Sequence, residues 1–188
     1  MTNIERVSEA SCAGKDTHTH RGYQKAHKVV NTLLYNRYAL GETYSTLDLF
    51  ARECPWADFR NDLNPYYKEN NFTNMCMDAL EAAKTFDNAS LAVIYCDPPF
   101  SPRQAKDKYD EVGTTNLYTN PSYMSELGKE MYRICEPGGF VIKAGFNSNA
   151  PDPRFVPVAF FISHYHGSRN DVIFSVWQRQ DNDLSIYY

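Results

Sequence analysis

"LAVIYCDPPF", residues 91–100, is the stretch on which the fold turns. Six apolar residues follow one another with no polar break, and a run this short that stops at turn-forming residues reads as a strand. Unbroken apolarity, rather than alternation, means burial on both faces. That is the condition of a central strand in a parallel sheet. Asp97, Pro98, Pro99 and Phe100 then close the run. A residue before proline is pushed to extended backbone, and proline itself fixes φ and has no N–H. The segment is therefore stiff, and it presents acceptors: the Asp97 carboxylate and the Pro98 carbonyl.

Outward from this strand, helical and extended patterns alternate. Val29, Val30, Leu33 and Leu34 recur at helical spacing between Tyr23 and Leu40, and Gly41 is the expected stop. Residues 44–51 read as a buried strand, 59–65 as a second, and 71–80 as a third leading into a helix over 79–86. Residues 101–121 show no period. An amphipathic helix is expected over 122–135, then a turn at "EPGG" and a strand at "FVIKAGF". "FVPVAFFISHYH" and "NDVIFSVWQRQ" read as two strands joined at Gly167, Ser168 and Arg169. This order predicts an α/β fold, a mainly parallel sheet with helices on both faces and a C-terminal antiparallel hairpin.

At 188 residues the chain suits one domain with a full core. Residues 1–20 are polar and aperiodic and read as a flexible tail, leaving 21–188 as the domain. His18 and His20 are too few ligands for a metal site. The five cysteines have no CxxC spacing, so neither a zinc cluster nor a disulfide frame is expected, and a reducing cytoplasm is. No run approaches the roughly 18 apolar residues of a membrane span. The formal net charge is −4, so any nucleic-acid contact must gather its cations on one face. Two clusters qualify: Lys25, Lys28 and Arg37 on the first helix, and Arg103, Lys106 and Lys108 after the double proline.

Four acids stand at predicted strand ends: Asp48, Asp62, Asp78 and Asp97. Ligands of open α/β sheets bind at that edge, although aspartate there also caps helices and turns. The rigid acceptor pair at Asp97 and Pro98 suits an exocyclic amino group. Such a nitrogen is a poor nucleophile because its lone pair is delocalised into the ring. Accepting both of its hydrogens favours a pyramidal nitrogen and exposes the lone pair. Phe100 offers a face on which the base can stack.

"IYCDPPF" resembles the (D/N/S)PP(Y/F/W) motif of S-adenosylmethionine-dependent amino-methyltransferases, which modify adenine N6 or cytosine N4. "TLDLFA" at 46–51, "NDLNP" at 61–65, "MDAL" at 77–80 and "EPGGFVIK" at 136–143 follow that family's order of motifs. The resemblance covers about residues 23–180 and is greatest to compact phage- and bacterial-type enzymes. It implies a Rossmann-like class I methyltransferase fold and S-adenosylmethionine as cofactor. It also implies adenine N6 in DNA as the target, since Asp in the first position mostly goes with adenine. By this resemblance Asp48, Leu49, Phe50 and Ala51 line the methionine end of the cofactor. Asp62 accepts from the ribose hydroxyls, Leu63 touches the adenine, and Asp78 with Ala79 receives the adenine amino group. Asp97, Pro98, Pro99 and Phe100 hold the target base.

One departure stands out. Where the family has a glycine-rich loop, this chain has "RECPW", 52–56, with no glycine. Arg52, Glu53 and Trp56 are expected to crowd or reshape the pocket: either the loop takes another path, with Pro55 and Trp56 packing on the cofactor, or cofactor binding is weakened. Two other functions therefore stay open. One is a ribosomal RNA amino-methyltransferase, although such enzymes usually begin with a basic, glycine-rich segment. The other is a non-catalytic methyltransferase-like binding subunit. The chain leaves little room for a recognition domain, so sequence specificity would come from residues 101–121, the hairpin turn, a second copy or a specificity subunit.

Overall fold

The structure is a computed structural model that describes residues 2–9, 17–38, 42–109, 120–165 and 171–180. Its chain order is β1 (Asn3–Glu9), a single 3-10 turn (Thr17–Thr19), α1 (Arg21–Arg37), β2 (Thr46–Asp48), β3 (Phe59–Arg60), α2 (Pro65–Glu69), α3 (Ala79–Lys84), β4 (Leu91–Cys96), α4 (Pro102–Tyr109), α5 (Pro121–Ile134), β5 (Cys135–Gly145), β6 (Phe155–Tyr165) and β7 (Val172–Arg179). The seven strands form one sheet in the order β1-β6-β7-β5-β4-β2-β3. β7 runs antiparallel to both β5 and β6, and every other pairing is parallel.

β4 sits between β2 and β5, and all six of its residues are buried. Leu91, Ile94 and Cys96 join the core under α3 and α5, while Ala92, Val93 and Tyr95 join the core under α1. Full burial of one such side chain is worth about 1.5–3 kcal/mol, so the strand is fixed from both sides. Tyr23, Ala26, Val30 and Leu34 form the buried stripe of α1 at three- and four-residue spacing. Asn120 caps α5 by accepting from the Ser122 N–H, with Pro121 opening the helix.

Three expectations need correction. Residues 3–9 are not a tail: they form β1, an edge strand parallel to β6, with Val7 buried. His18 and His20 lie under the start of α1, where His20 stacks on Phe174 and His18 meets Trp56 edge-on. The extended structure of 59–80 is limited to the two-residue β3 and one bridge from Asn61 to Met75, because its Asp and Asn side chains take up backbone donors in turns. "EPGG" is no turn between elements. It lies inside β5 as a bulge, with Leu91 paired to Cys135 and Val93 to Phe140, and Gly138 at φ 74. The hairpin turn at 167–169 and Gly41 fall outside the described residues.

Candidate active site

The carboxyl edge of β2, β3 and β4 gathers the acids. Asp48 ends β2, is 2% exposed, and accepts from the Phe50 N–H at 3.0 Å. That bond starts the turn that carries Leu49, Phe50 and Ala51, all buried. The Ala51 N–H donates to the Asn61 carbonyl at 2.8 Å, which ties the turn to the end of β3. Burial pushes the Asp48 carboxyl up to about 7.

Arg52 stands next in this turn, at φ 45. That is the left-handed region, open to glycine and costing an L-residue about 1–2 kcal/mol. The backbone thus takes the path a glycine would take, with a long cationic side chain attached. Nη2 of Arg52 donates to Oδ2 of Asp97 at 3.0 Å, and the two side chains are only 13% and 6% exposed. The rest of the loop turns away. Trp56 stacks on His27 of α1 at 4.2 Å and packs with Tyr23. It therefore belongs to the α1-side core, not to a cofactor surface as the sequence suggested.

Asp62 is fully buried just after β3. Its Oδ1 accepts from the Asn64 N–H at 2.9 Å, and its Oδ2 accepts from the Tyr109 hydroxyl at 3.3 Å. Burial raises it to about 6, against the lowering effect of Arg52. Leu63 is half-buried and packs against the α3/α5-side core. Asp78 behaves as a helix cap. It accepts from the Leu80 N–H at 2.9 Å and the Glu81 N–H at 3.4 Å. The Tyr123 hydroxyl donates to this carboxylate at 2.9 Å, and Ala79 is buried beneath it.

Asp97, Pro98 and Pro99 are buried where β4 ends, and Phe100 is half-buried. The Phe100 N–H donates to Gln104 Oε1 at 2.8 Å, locking the motif to the first turn of α4. On the β5 side a cavity of about 500 Å³ opens, lined by Pro98, Pro99, Phe100, Met124, Lys143 and Phe146 among others. Phe100 and Phe146 meet at 62° with centroids 5.0 Å apart. Lys143 donates to the Asn149 carbonyl at 2.9 Å, and burial lowers its amine. Pro151 and Pro153 form the far wall, against which Gly128 of α5 packs so closely that a Cβ would lie 1.9 Å from the Pro151 carbonyl oxygen.

Sequence reading gave Arg52 no role beyond crowding or reshaping the pocket, and it missed Tyr109, Phe146 and Lys143. The residue before "EC" and the tyrosine ending the charged stretch carried no motif, and Phe146 only closed a strand. Residues 102–109 form α4, where no regular element was expected; 110–119 lie outside the described residues. The predicted cations lie on two separate helices. Lys25 and Lys28 are on α1, and Lys25 is engaged by Glu5 of β1. Arg37 pairs with Glu136 at 3.6 Å. Arg103 and Lys106 are exposed on α4 beside the motif, and the Lys108 backbone belongs to the same helix.

No protein-family model matches the chain, and no curated protein matches it in sequence. Solved structures do match it in fold. A protein of Haemophilus influenzae designated a methylase aligns at TM-score 0.50 and 13% identity, over 83% of this chain and 99% of its own. The protein yhhF of Escherichia coli, designated a methyltransferase, aligns at TM-score 0.52 and 11% identity, over 90% of each chain. A protein of Listeria monocytogenes designated a class I S-adenosylmethionine-dependent methyltransferase aligns at TM-score 0.52 and 13% identity, over 92% of this chain and 64% of its own. The fold is therefore the Rossmann-like methyltransferase fold expected from the sequence, here with β1 added beyond β6.

The residues at the acid-bearing edge suit S-adenosylmethionine in kind. Beside these acceptors, the Tyr23 hydroxyl is buried with no hydrogen-bond partner among the described residues, and Asp48 and Asp97 are near enough to raise its pKa after burial itself. A polar ligand with both donors and acceptors would satisfy that hydroxyl. Among the described residues no group of three His, Cys, Asp or Glu could hold a metal ion, and no helix is long and apolar enough to cross a membrane.

Proposed function

We propose that this chain is an S-adenosylmethionine-dependent methyltransferase that modifies an exocyclic amino group of a nucleobase, adenine N6 in DNA. One observation carries the reading. Asp97-Pro98-Pro99-Phe100 leaves the central strand between the acid-bearing ends of β2 and β3 on one side and the 500 Å³ cavity on the other. A donor and an acceptor on these two sides would meet at Asp97. Asp48 with Leu49, Phe50 and Ala51, Asp62, Leu63, and Asp78 with Ala79 would hold the cofactor. When bound, the cofactor supplies an electrophilic methyl on a sulfonium. Asp97 and the Pro98 carbonyl would accept the two hydrogens of the target amino group, and Phe100 would stack on the base. Extruding that base from a duplex costs a few kcal/mol, to be recovered in the pocket. Lys25, Lys28, Arg103, Lys106 and Lys108 would contact phosphate.

The Arg52–Asp97 ion pair favours a second reading, a methyltransferase-like subunit that binds nucleic acid without transfer. Incubation with labelled S-adenosylmethionine and either duplex DNA or ribosomal RNA, followed by nucleoside analysis, separates the possibilities. Label in N6-methyladenine from DNA supports the first reading. Label in RNA alone replaces the substrate. Cofactor binding without transfer to either supports the second.

A further inference from the structure

The reading above rests on Asp97 receiving an amino group, yet in this structure its Oδ2 already receives one kind of N–H. We propose that Arg52 is the resident occupant of the amine position on Asp97, so that the Arg52–Asp97 pair and binding of the acceptor's amino group are mutually exclusive. A guanidinium presents planar N–H donors to a carboxylate, as an exocyclic amino group does, and it adds a full charge. The contact is 3.0 Å long between side chains 13% and 6% exposed, so solvent does not compete for it.

The backbone shows that this placement is specified. Ala51 and Cys54 fix the turn through hydrogen bonds of 2.8 Å to Asn61 and 2.7 Å between themselves. Arg52 holds φ 45 within that turn, where glycine would be unstrained. The Arg52 N–H also donates to Asp62, and its charge lowers Asp48 and Asp62 against the effect of burial. Arg52 thus answers three buried carboxylates at once in the free protein. An arriving amino group must take one of those acceptors from it.

The test is binding, with transfer as a second readout. A fluorescein-labelled deoxyadenosine oligomer is compared by anisotropy with the same oligomer carrying purine, which lacks the 6-amino group, at every adenine. The wild-type protein should hardly discriminate. Arg52→Gly should come to prefer the adenine oligomer by about tenfold, with purine binding unchanged. Its KM for the adenine oligomer should fall while kcat does not rise. If thermal melting shows the glycine variant to be unfolded, Arg52→Met is measured instead, since it keeps the length without the donors. An unchanged adenine-to-purine ratio in the folded variant overturns the assignment, as does an equal change for both oligomers. Label transfer by the wild type with no Arg52 effect removes only this assignment. No binding of either oligomer and no transfer to DNA or RNA removes the proposed function, and the Arg52 role with it.

Discussion

The Tyr109 hydroxyl, at the end of α4, donates to Oδ2 of Asp62, just beyond β3, at 3.3 Å. The bond carries the chain from the end of β4 back across the site edge. It places a buried aromatic ring beside the acid proposed to take the ribose hydroxyls. With Arg52 on Asp97, Tyr123 on Asp78 and the Phe50 N–H on Asp48, each of the four acids has a donor within the chain.

Tyr109→Phe separates two contributions of that hydroxyl. Losing the bond should lower stability by about 0.5–1.5 kcal/mol in urea melts. S-adenosylmethionine affinity by calorimetry should hold or improve, because Oδ2 of Asp62 loses the Tyr109 donor. Asp62→Ala should instead weaken it by about 1–3 kcal/mol. Loss of affinity in Tyr109→Phe would make the tyrosine part of the cofactor site.

Asp97→Ala should abolish methyl transfer. It also strands the Arg52 guanidinium, so a stability loss of about 3 kcal/mol is expected in the same protein. Asp97→Asn keeps one acceptor oxygen and should leave weak transfer. Phe100→Ala should weaken acceptor binding by about 1–3 kcal/mol with cofactor affinity unchanged. Wild-type turnover in Asp97→Ala would end the proposed chemistry.

Stability should fall as pH rises from about 4 to about 7. Burial lifts Asp48 to about 7 and Asp62 to about 6, above the roughly 3.9 of an unfolded aspartate. Between those values the native state binds more protons than the unfolded one. Each group then removes at most about 1.4 kcal/mol per pH unit. Asp48→Asn keeps the acceptor for the Phe50 N–H and should roughly halve the decline in urea midpoints. A decline identical to wild type would place the titration elsewhere.

If the chain holds DNA, log K against log salt should be steep, and Lys106→Ala should flatten the slope by about 0.9. Lys25→Ala should flatten it less, because Glu5 already engages that amine. Equal effects would make α1 as much a part of the interface as α4.

The central strand was legible because apolar residues alone specify burial on both faces. The hairpin strands were legible from their apolar and β-branched runs, and α5 from its amphipathic period. β1 was not, because among its described side chains "NIERVSE" buries only Val7 and its pairing depends on a strand more than 150 positions away. α4 was hidden because, among its described side chains, only Ala105 and Tyr109 are buried, among charged neighbours. In the site, position at a strand end was readable, but what each acid meets was not. Asp78 proved to be a helix cap, which the residue type allowed from the start. Arg52 could be read as a side chain crowding the pocket, but its ion pair could not, because that depends on a positive φ and a partner 45 positions away.

The pairing of β1 with β6 reverses the order of synthesis. Asn3 pairs with Ala159 and Val7 with Ser163, so a strand made before α1 has no neighbour until β6 has been made. Contacts this distant in sequence carry a large loop-closure entropy and form late. On that timetable the acid-bearing edge around β2 and β4 can assemble while β1 still lacks its neighbour, and β1 becomes the final piece of the sheet.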